Sequence, residues 1–511
     1  MAELVASADQ DQLADQQAAY LAIEPKLATA LEANRPDSTT EHVSIALPSY
    51  SVSETILSHY GDRIPSLEHR YLAALLMPSR IPTVSIVYIS TQRPEQAAID
   101  YYPGLLSPER RARTEGRYRL VEWNDGTPRS VAARLVNRPD LIADLRAHIG
   151  DRPALIEPWN VTENEVALAI ALGVPINGTR PELRSIGYKS EGRRLFVEAG
   201  VPRPLGREDV RTIDDVIGAI LEIRTEHPKA QGVVIKHDDS GAGDGNAVID
   251  LSPMAEATDP VAWLRERLGA LPDWYRRDLE LGGIVEERIT GARFTSPSAQ
   301  ADVLPSGEVR VLATHEQVLG GPDDQVYLGC RFPADPAYAT VLADHARAIG
   351  ERLAARGALG RFGIDFVAAD DGSGSWTINA IEVNLRKGGT THPYTTLRNL
   401  VPGGYDTASG QWIVEDDGTT RNYSATDNLI DPAWHGLPVA EVIGAVRDAG
   451  IGFDHRTGTG VVLHMLSGLA IDGRIGLTAI ERTPESADAL QEATRRAIDT
   501  LGEARRRQAG Q

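Results

Sequence analysis

A single cysteine, Cys330, stands in 511 residues, which excludes an internal disulfide framework and a multi-cysteine zinc site and fits a reducing cytoplasm. Lysine is nearly as scarce. Lys26, Lys189, Lys229, Lys236 and Lys387 are the five lysines among 52 basic residues, so arginine is the default base of this chain. A lysine kept against that bias marks either an indifferent surface or a place that wants a compact ammonium rather than a planar fork. Excess positive charge is missing too. A formal net charge of −20 excludes a general nucleic-acid binder, which needs a basic surface to displace counterions, and leaves any polyanionic ligand to a local basic pocket. No apolar run, residues 71–77 included, nears the ~20 residues of a membrane-spanning helix. Met1-Ala2-Glu3 lacks the basic start and apolar stretch of a secretory signal, so a cytoplasmic protein is expected.

What is present belongs to a folded protein of several domains. Hydrophobic residues make up 42% and charged residues 24%, which excludes a largely disordered chain, and the length suggests roughly three or four domains. Residues 1–40 read as a helical arm. Residues 41–180 read as an α/β domain: Val43–Leu47 and Thr83–Ile89 are strand-like and bracket a helical stretch around Leu67–Met77. Residues 181–402 alternate helix, strand, glycine-rich turn and further strands. Residues 403–511 read as a small α+β segment, with strands near Val461–Leu466 and Gly476–Ile480. A helix follows, opened by Thr483-Pro484-Glu485-Ser486, and Arg505–Gln508 form a frayed tail.

The most informative stretch runs from Arg361 to Lys387. Two β-like runs flank Asp371-Gly372-Ser373-Gly374, which predicts a hairpin. A turn centred near Ser373 sets Asp365 opposite Glu382. Alternation puts Glu382, Asn384 and Arg386 on one face and Ile381, Val383 and Leu385 on the other, with Phe362, Ile364 and Phe366 opposing Asp365 on the partner strand. Two carboxylates and an amide oxygen on one face suit Mg²⁺. An ordinary solvated sheet face is the alternative. Opposed like charges are destabilising without a counter-cation, which favours the metal.

A second constellation runs from Gly232 to Leu251, with Lys236 on its first strand and Gly241, Gly243 and Gly245 at its centre. A dinucleotide-binding glycine motif must open into a helix, whereas Ala247–Leu251 read as another strand, so these glycines cap a hairpin. Such a hairpin can fold its N–H groups over phosphates, and a loose surface turn is the alternative. The stretch Leu281–Phe294, which contains Glu286, Glu287 and Ile289, reads as a strand ending in charged residues and could present backbone groups and a carboxylate to an adenine and its sugar. Lys189 stands before a helix that ends at Gly200-Val201-Pro202. Taken alone, either feature reads as surface.

In order along the chain, these motifs resemble the ATP-grasp superfamily of carboxylate-activating ligases over Arg180–Pro402. Leu47–Tyr50, Tyr101–Pro103, Asn246–Val248, Arg386–Pro393, Tyr423–Asp427 and Gly458–Val462 resemble the pheganomycin-type peptide ligase family. The resemblance implies an ATP-grasp fold between an N-terminal α/β pre-grasp domain and a small C-terminal α+β domain. It implies that Lys189 and Lys236 hold ATP phosphates, that Gly243, Asp244 and Gly245 close over them, and that Glu286 and neighbouring backbone groups read adenine. It also implies that Asp365, Glu382 and Asn384 hold Mg²⁺ and that Arg386 lies beside the reacting acyl centre. Arg293 stands where many relatives carry an acidic ribose contact, which leaves Glu287 as a candidate. The implied activity joins a small-molecule carboxylate to an amino acid or peptide amine through an acyl phosphate. A phosphotransferase and a non-catalytic nucleotide-binding protein are the alternatives. No nucleic-acid or membrane partner is expected, and a homo-oligomer stays open. His392 receives no role as a base.

Overall fold

The computed structural model describes residues 13–52, 54–240, 245–321 and 326–509. Residues 13–21 and Lys26–Ala33 are helical, as the arm was expected to be. Four parallel strands follow, β1 (His42–Leu47), β2 (Val84–Ile89), β3 (Tyr118–Val121) and β4 (Ala154–Pro158), in the order β3-β2-β1-β4. Both faces of β1 and β2 are buried, which is why these strands read as unbroken apolar runs. Val43, Ile45, Leu47, Val87 and Ile89 face the helices Val131–Val136, Pro139–Ile149 and Glu163–Leu172. Ala46, Val84, Ile86 and Tyr88 face a core shared with the central sheet.

The stretch expected to be helical over Leu67–Met77 divides into a short helix, Ile64–His69, and a 3₁₀ segment, Leu72–Ser79. Leu72–Met77 are apolar on nearly every side and lie between β2 and the helix Thr391–Leu400, so they carry no amphipathic stripe for a regular helix, and Pro78 removes an N–H donor.

Strands β5 (Gly206–Val210), β6 (Gly232–His237), β7 (Asn246–Asp250) and β8 (Gly283–Glu287) form a second, antiparallel sheet in the order β5-β8-β6-β7. Helix Ile213–Glu226 covers it, started by Thr212, whose hydroxyl accepts from the Asp215 N–H at 3.1 Å.

The third sheet contains β9 (Arg293–Thr295), β10 (Pro297–Val303), β11 (Val309–Gly320), β12 (Val326–Phe332), β13 (Gly360–Asp370) and β14 (Trp376–Asn384). It continues through β15 (Gly403–Asp406), β16 (Gln411–Val414), β17 (Thr420–Ile430), β18 (Gly460–His464) and β19 (Arg474–Glu481), with β17 pairing β12 and β19 pairing β17. The late strands thus extend the sheet that carries the β13–β14 hairpin rather than closing one of their own. Thr483 caps the last helix, its hydroxyl accepting from the Ser486 N–H at 3.2 Å. That helix spans Pro484–Ala509, so the arginine run is helical and not frayed. Arg505 there bonds Glu441 at 2.8 Å, a tether that the local sequence does not display.

Candidate active site

Strands β13 and β14 pair with Asp365 directly opposite Glu382 and Gly363 opposite Asn384, the register expected from a turn near Ser373. A bulge interrupts the ladder between Asp365 and Phe366, where Phe366 pairs with Ala380. The extra residue is Ile381. It breaks the alternation, so Ile381 lines the same cavity as Glu382 and Asn384, contrary to its expected place on the apolar face. Val383, Phe362, Ile364 and Phe366 keep to the core, and Leu385 packs against it.

Hydrogen bonds from two amides converge on Asp365: Gln317 Nε2 donates to Oδ1 at 2.6 Å and Asn384 Nδ2 to Oδ2 at 2.9 Å. Burial and the facing Glu382 carboxylate push Asp365 up to about 6, against the opposing pull of Arg386 and the two amides. Lys189 Nζ meets Glu382 Oε1 at 2.9 Å and also donates to the Ser240 carbonyl. A cation already sits on one carboxylate, and the other is held by neutral donors. Among the described residues no three His, Cys, Asp or Glu side chains converge as a metal cage. The donor set is instead two carboxylates and an amide, which fits a hard cation that keeps waters and shares phosphate oxygens.

The expected nucleotide residues gather on the same cavity, of about 1310 Å³. Lys189 opens the helix Lys189–Glu198, and Lys236 lies on β6 beside Glu286 of β8. Both Glu286 oxygens are engaged, one by Lys236 and the other by Arg193 at 3.1 Å. The Glu286 carboxylate therefore orients Lys236, and Ile289 lines the wall beside them. Glu287 also lines it, with His227 Nδ1 against its carboxylate. Arg293 is bonded to Asp370, stacks over Trp376 at 4.8 Å and is not among the lining residues.

Strands β6 and β7 form the expected glycine hairpin. Gly243 and Asp244 lie outside the described residues. Gly245 closes it with φ +83°, and a Cβ there would stand 2.8 Å from His237 Nδ1, so only glycine fits.

Arg386 lines the cavity and lies 5.1 Å above the Trp159 ring, which in turn stacks with Tyr50 at 4.4 Å. Trp159 and Tyr50 stand at the carboxyl ends of β4 and β1. Asn160 ties these loops together by donating to the Ser51 carbonyl at 2.8 Å and accepting from the Ser51 N–H at 3.0 Å. Beyond Arg386 the chain crosses as a strap, Lys387–Thr390. Lys387 bonds Glu157 at 2.8 Å, and a Cβ on Gly389 would stand 2.5 Å from the Tyr327 ring, so the strap needs glycine to lie this close.

The chain is 32% identical over 454 residues to the L-propargylglycine--L-glutamate ligase of Streptantibioticus cattleyicolor, covering 85% of this chain and 91% of that one. The chain belongs to the pheganomycin-type ATP-grasp ligases. As a member of that family it is an ATP-dependent ligase. Family models described as "IQCH-like, ATP-grasp" and "PGM1 C-terminal domain" match residues 182–268 and 441–494. It is 22% identical over 341 residues to IQ motif-containing protein H of Danio rerio, over 56% of this chain and 32% of that one.

Two solved structures share the ATP-grasp fold. The ADP complex of N5-carboxyaminoimidazole ribonucleotide synthetase is 13% identical with a TM-score of 0.50, over 91% of this chain and 98% of that one. The biotin carboxylase domain of Hydrogenobacter thermophilus 2-oxoglutarate carboxylase is 14% identical with a TM-score of 0.52, over 89% of each. Among the described residues of this ATP-grasp ligase, no helix is long and apolar enough to cross a membrane.

Sequence reasoning missed Gln317, Arg193, Trp159 and Arg70, which also lines the cavity. Each acts across 48 to 357 residues of chain, and only Trp159, in an apolar-then-polar Pro158-Trp159-Asn160 turn at the end of β4, carries a local signal. His392 is buried, lies 2.9 Å from Asp427 and is not among the residues that line the cavity.

Proposed function

We propose that this ligase binds ATP between β5–β8 and β13–β14 and joins a small-molecule acid to the amine of an amino acid or short peptide. What supports the reading is the juxtaposition of Asp365, Glu382 and Asn384 with Lys189 on one cavity wall, with Lys236 on the same cavity. Residues 181–402 would form the nucleotide core, flanked by a unit over 41–180 and another over 403–511, in a cytoplasmic protein. The name of the Streptantibioticus cattleyicolor ligase carries two amino acids, and this chain is proposed to take substrates of that class.

Asp365, Glu382 and the Asn384 carbonyl would hold Mg²⁺, which when bound supplies charge neutralisation on phosphate oxygens. Lys189 and Lys236 turn from their carboxylate partners towards phosphates. An oxygen of the acid attacks the γ-phosphorus as its bond to the bridging oxygen of ADP breaks, giving an acyl phosphate. The amine nitrogen then adds to the carbonyl carbon, the bond from that carbon to the phosphate oxygen breaks, and the departing phosphate carries away the amine's proton. Arg386, held over Trp159, donates to the developing oxyanion and the departing phosphate, an effect of ~3 kcal/mol for a well-placed donor.

Release of ADP that requires both acid and amine, with a product one water lighter than the two together, tests this reading. A phosphorylated acid that accumulates unchanged when amine is present would support a phosphotransferase instead.

A further inference from the structure

Arg70, one residue past the helix Ile64–His69, is one of several arginines that line the cavity, and nothing in the mechanism above uses it. Its Nη2 lies 3.0 Å from Asp427 Oδ2, and both side chains are largely buried. Asp427 stands in the irregular register of β17 between Thr426 and Leu429, where the ladder turns its side chain inward. His392 Nε2 is 2.9 Å from the other Asp427 oxygen, and the His464 ring packs against His392 at 5.2 Å. Burial alone would raise Asp427, but Arg70 and His392 hold its carboxyl below the usual range, so it remains the anion that fixes Arg70.

One edge of the fork is thus held from behind. Arg70 Nε is buried and has no hydrogen-bond partner among the described residues. Arg70 also reaches the cavity wall beside Tyr327, whose ring touches Gly389. An oriented guanidinium that lines a cavity fits a carboxylate better than any neutral group.

We propose that Arg70 binds the non-reacting carboxylate of the amine co-substrate, with Asp427 as its positioning residue. The inference rests on the ligase reading. Lys189, Lys236 and Arg386 are committed to phosphates and the acyl centre in that reading, and Arg70 reaches the same cavity from the first-sheet unit, anchored on β17 by Asp427. An amine carrying a carboxylate into a chain of net charge −20 needs such a cation.

The test compares glycine, L-propargylglycine and glycylglycine with their C-terminal amides as amines, with L-glutamate and a panel of other amino acids as acids, read as adduct mass and ADP release. The unaltered enzyme should favour each free carboxylate over its amide. Arg70→Gln should raise KM for the carboxylate forms roughly 10- to 100-fold, leaving KM for the amides and for ATP unchanged, since a hydrogen bond to a charged group is lost. Arg70→Lys keeps the charge against Asp427, guards against misfolding of the first variant, and should show the same selective loss because it lacks the fork. Equal losses for carboxylate and amide, or an unchanged preference in Arg70→Lys, would overturn the assignment. No adduct from the unaltered enzyme across the panel would overturn the ligase reading itself.

Discussion

Gln317 offers the sharpest test of the metal set, because it touches Asp365 without belonging to the proposed ligands. Its amide donates to Asp365 Oδ1 at 2.6 Å and fixes the direction in which the carboxylate faces. Gln317→Leu removes that donor and leaves a buried carboxylate with the Asn384 amide alone. A hydrogen bond to a charged group contributes about 1.5–3 kcal/mol, a factor of roughly 10 to 150. Loss of a residue that orients a metal-binding side chain typically costs 10- to 100-fold in affinity, in agreement. The assay is ADP release against free Mg²⁺ at constant Mg·ATP, with KM for the amine measured beside it. Half-saturation by Mg²⁺ should rise at least 10-fold while the amine KM holds. An unchanged Mg²⁺ response in a folded Gln317→Leu protein would refute Asp365 as a ligand.

Glu382→Gln should abolish Mg²⁺-dependent turnover with the fold intact by circular dichroism, and a wild-type rate would remove Glu382 from the site. Glu286→Gln leaves Lys236 and Arg193 buried against a neutral amide, so thermal melting should show a loss of about 3–5 kcal/mol. Gly389→Ala forces a methyl into the Tyr327 ring and should lower turnover by 10-fold or more, with a stability cost of about 1–3 kcal/mol in urea unfolding. Burial drops His69 from 6.5 to about 4, so it is neutral when folded while the unfolded chain gains a proton below 6.5. Stability is therefore full above pH 6.5 and falls by ~3 kcal/mol towards pH 4. Melting of His69→Gln across that window should show a shallower pH slope, and an unchanged slope contradicts the assignment.

The hairpin was legible because its two strands are contiguous and a turn residue fixes their register, so Asp365 and Glu382 could be paired from spacing alone. The bulge at Ile381 was not, since nothing in an alternating run marks which residue is extra. β1 and β2 announced themselves as apolar runs buried on both faces. β3, with three of its four residues only half-buried, did not. The glycine hairpin was readable because a strand follows it. The partners of Glu286 were not: Arg193 comes from a helix 93 residues away, and only the folded chain shows that its carboxylate is spent on two cations. The motifs Leu47–Tyr50, Arg386–Pro393 and Tyr423–Asp427, distant in sequence, meet near Arg70 through Tyr50, the strap and Asp427, a convergence that no local pattern encodes.

Isotope transfer tests the central claim most directly. With the acid labelled with ¹⁸O in its reacting carboxyl group, an acyl phosphate requires that one labelled oxygen leave with phosphate at every turnover, so the released phosphate should be two mass units heavier while the amide keeps the other label. Unlabelled phosphate released in step with the amide would contradict the account.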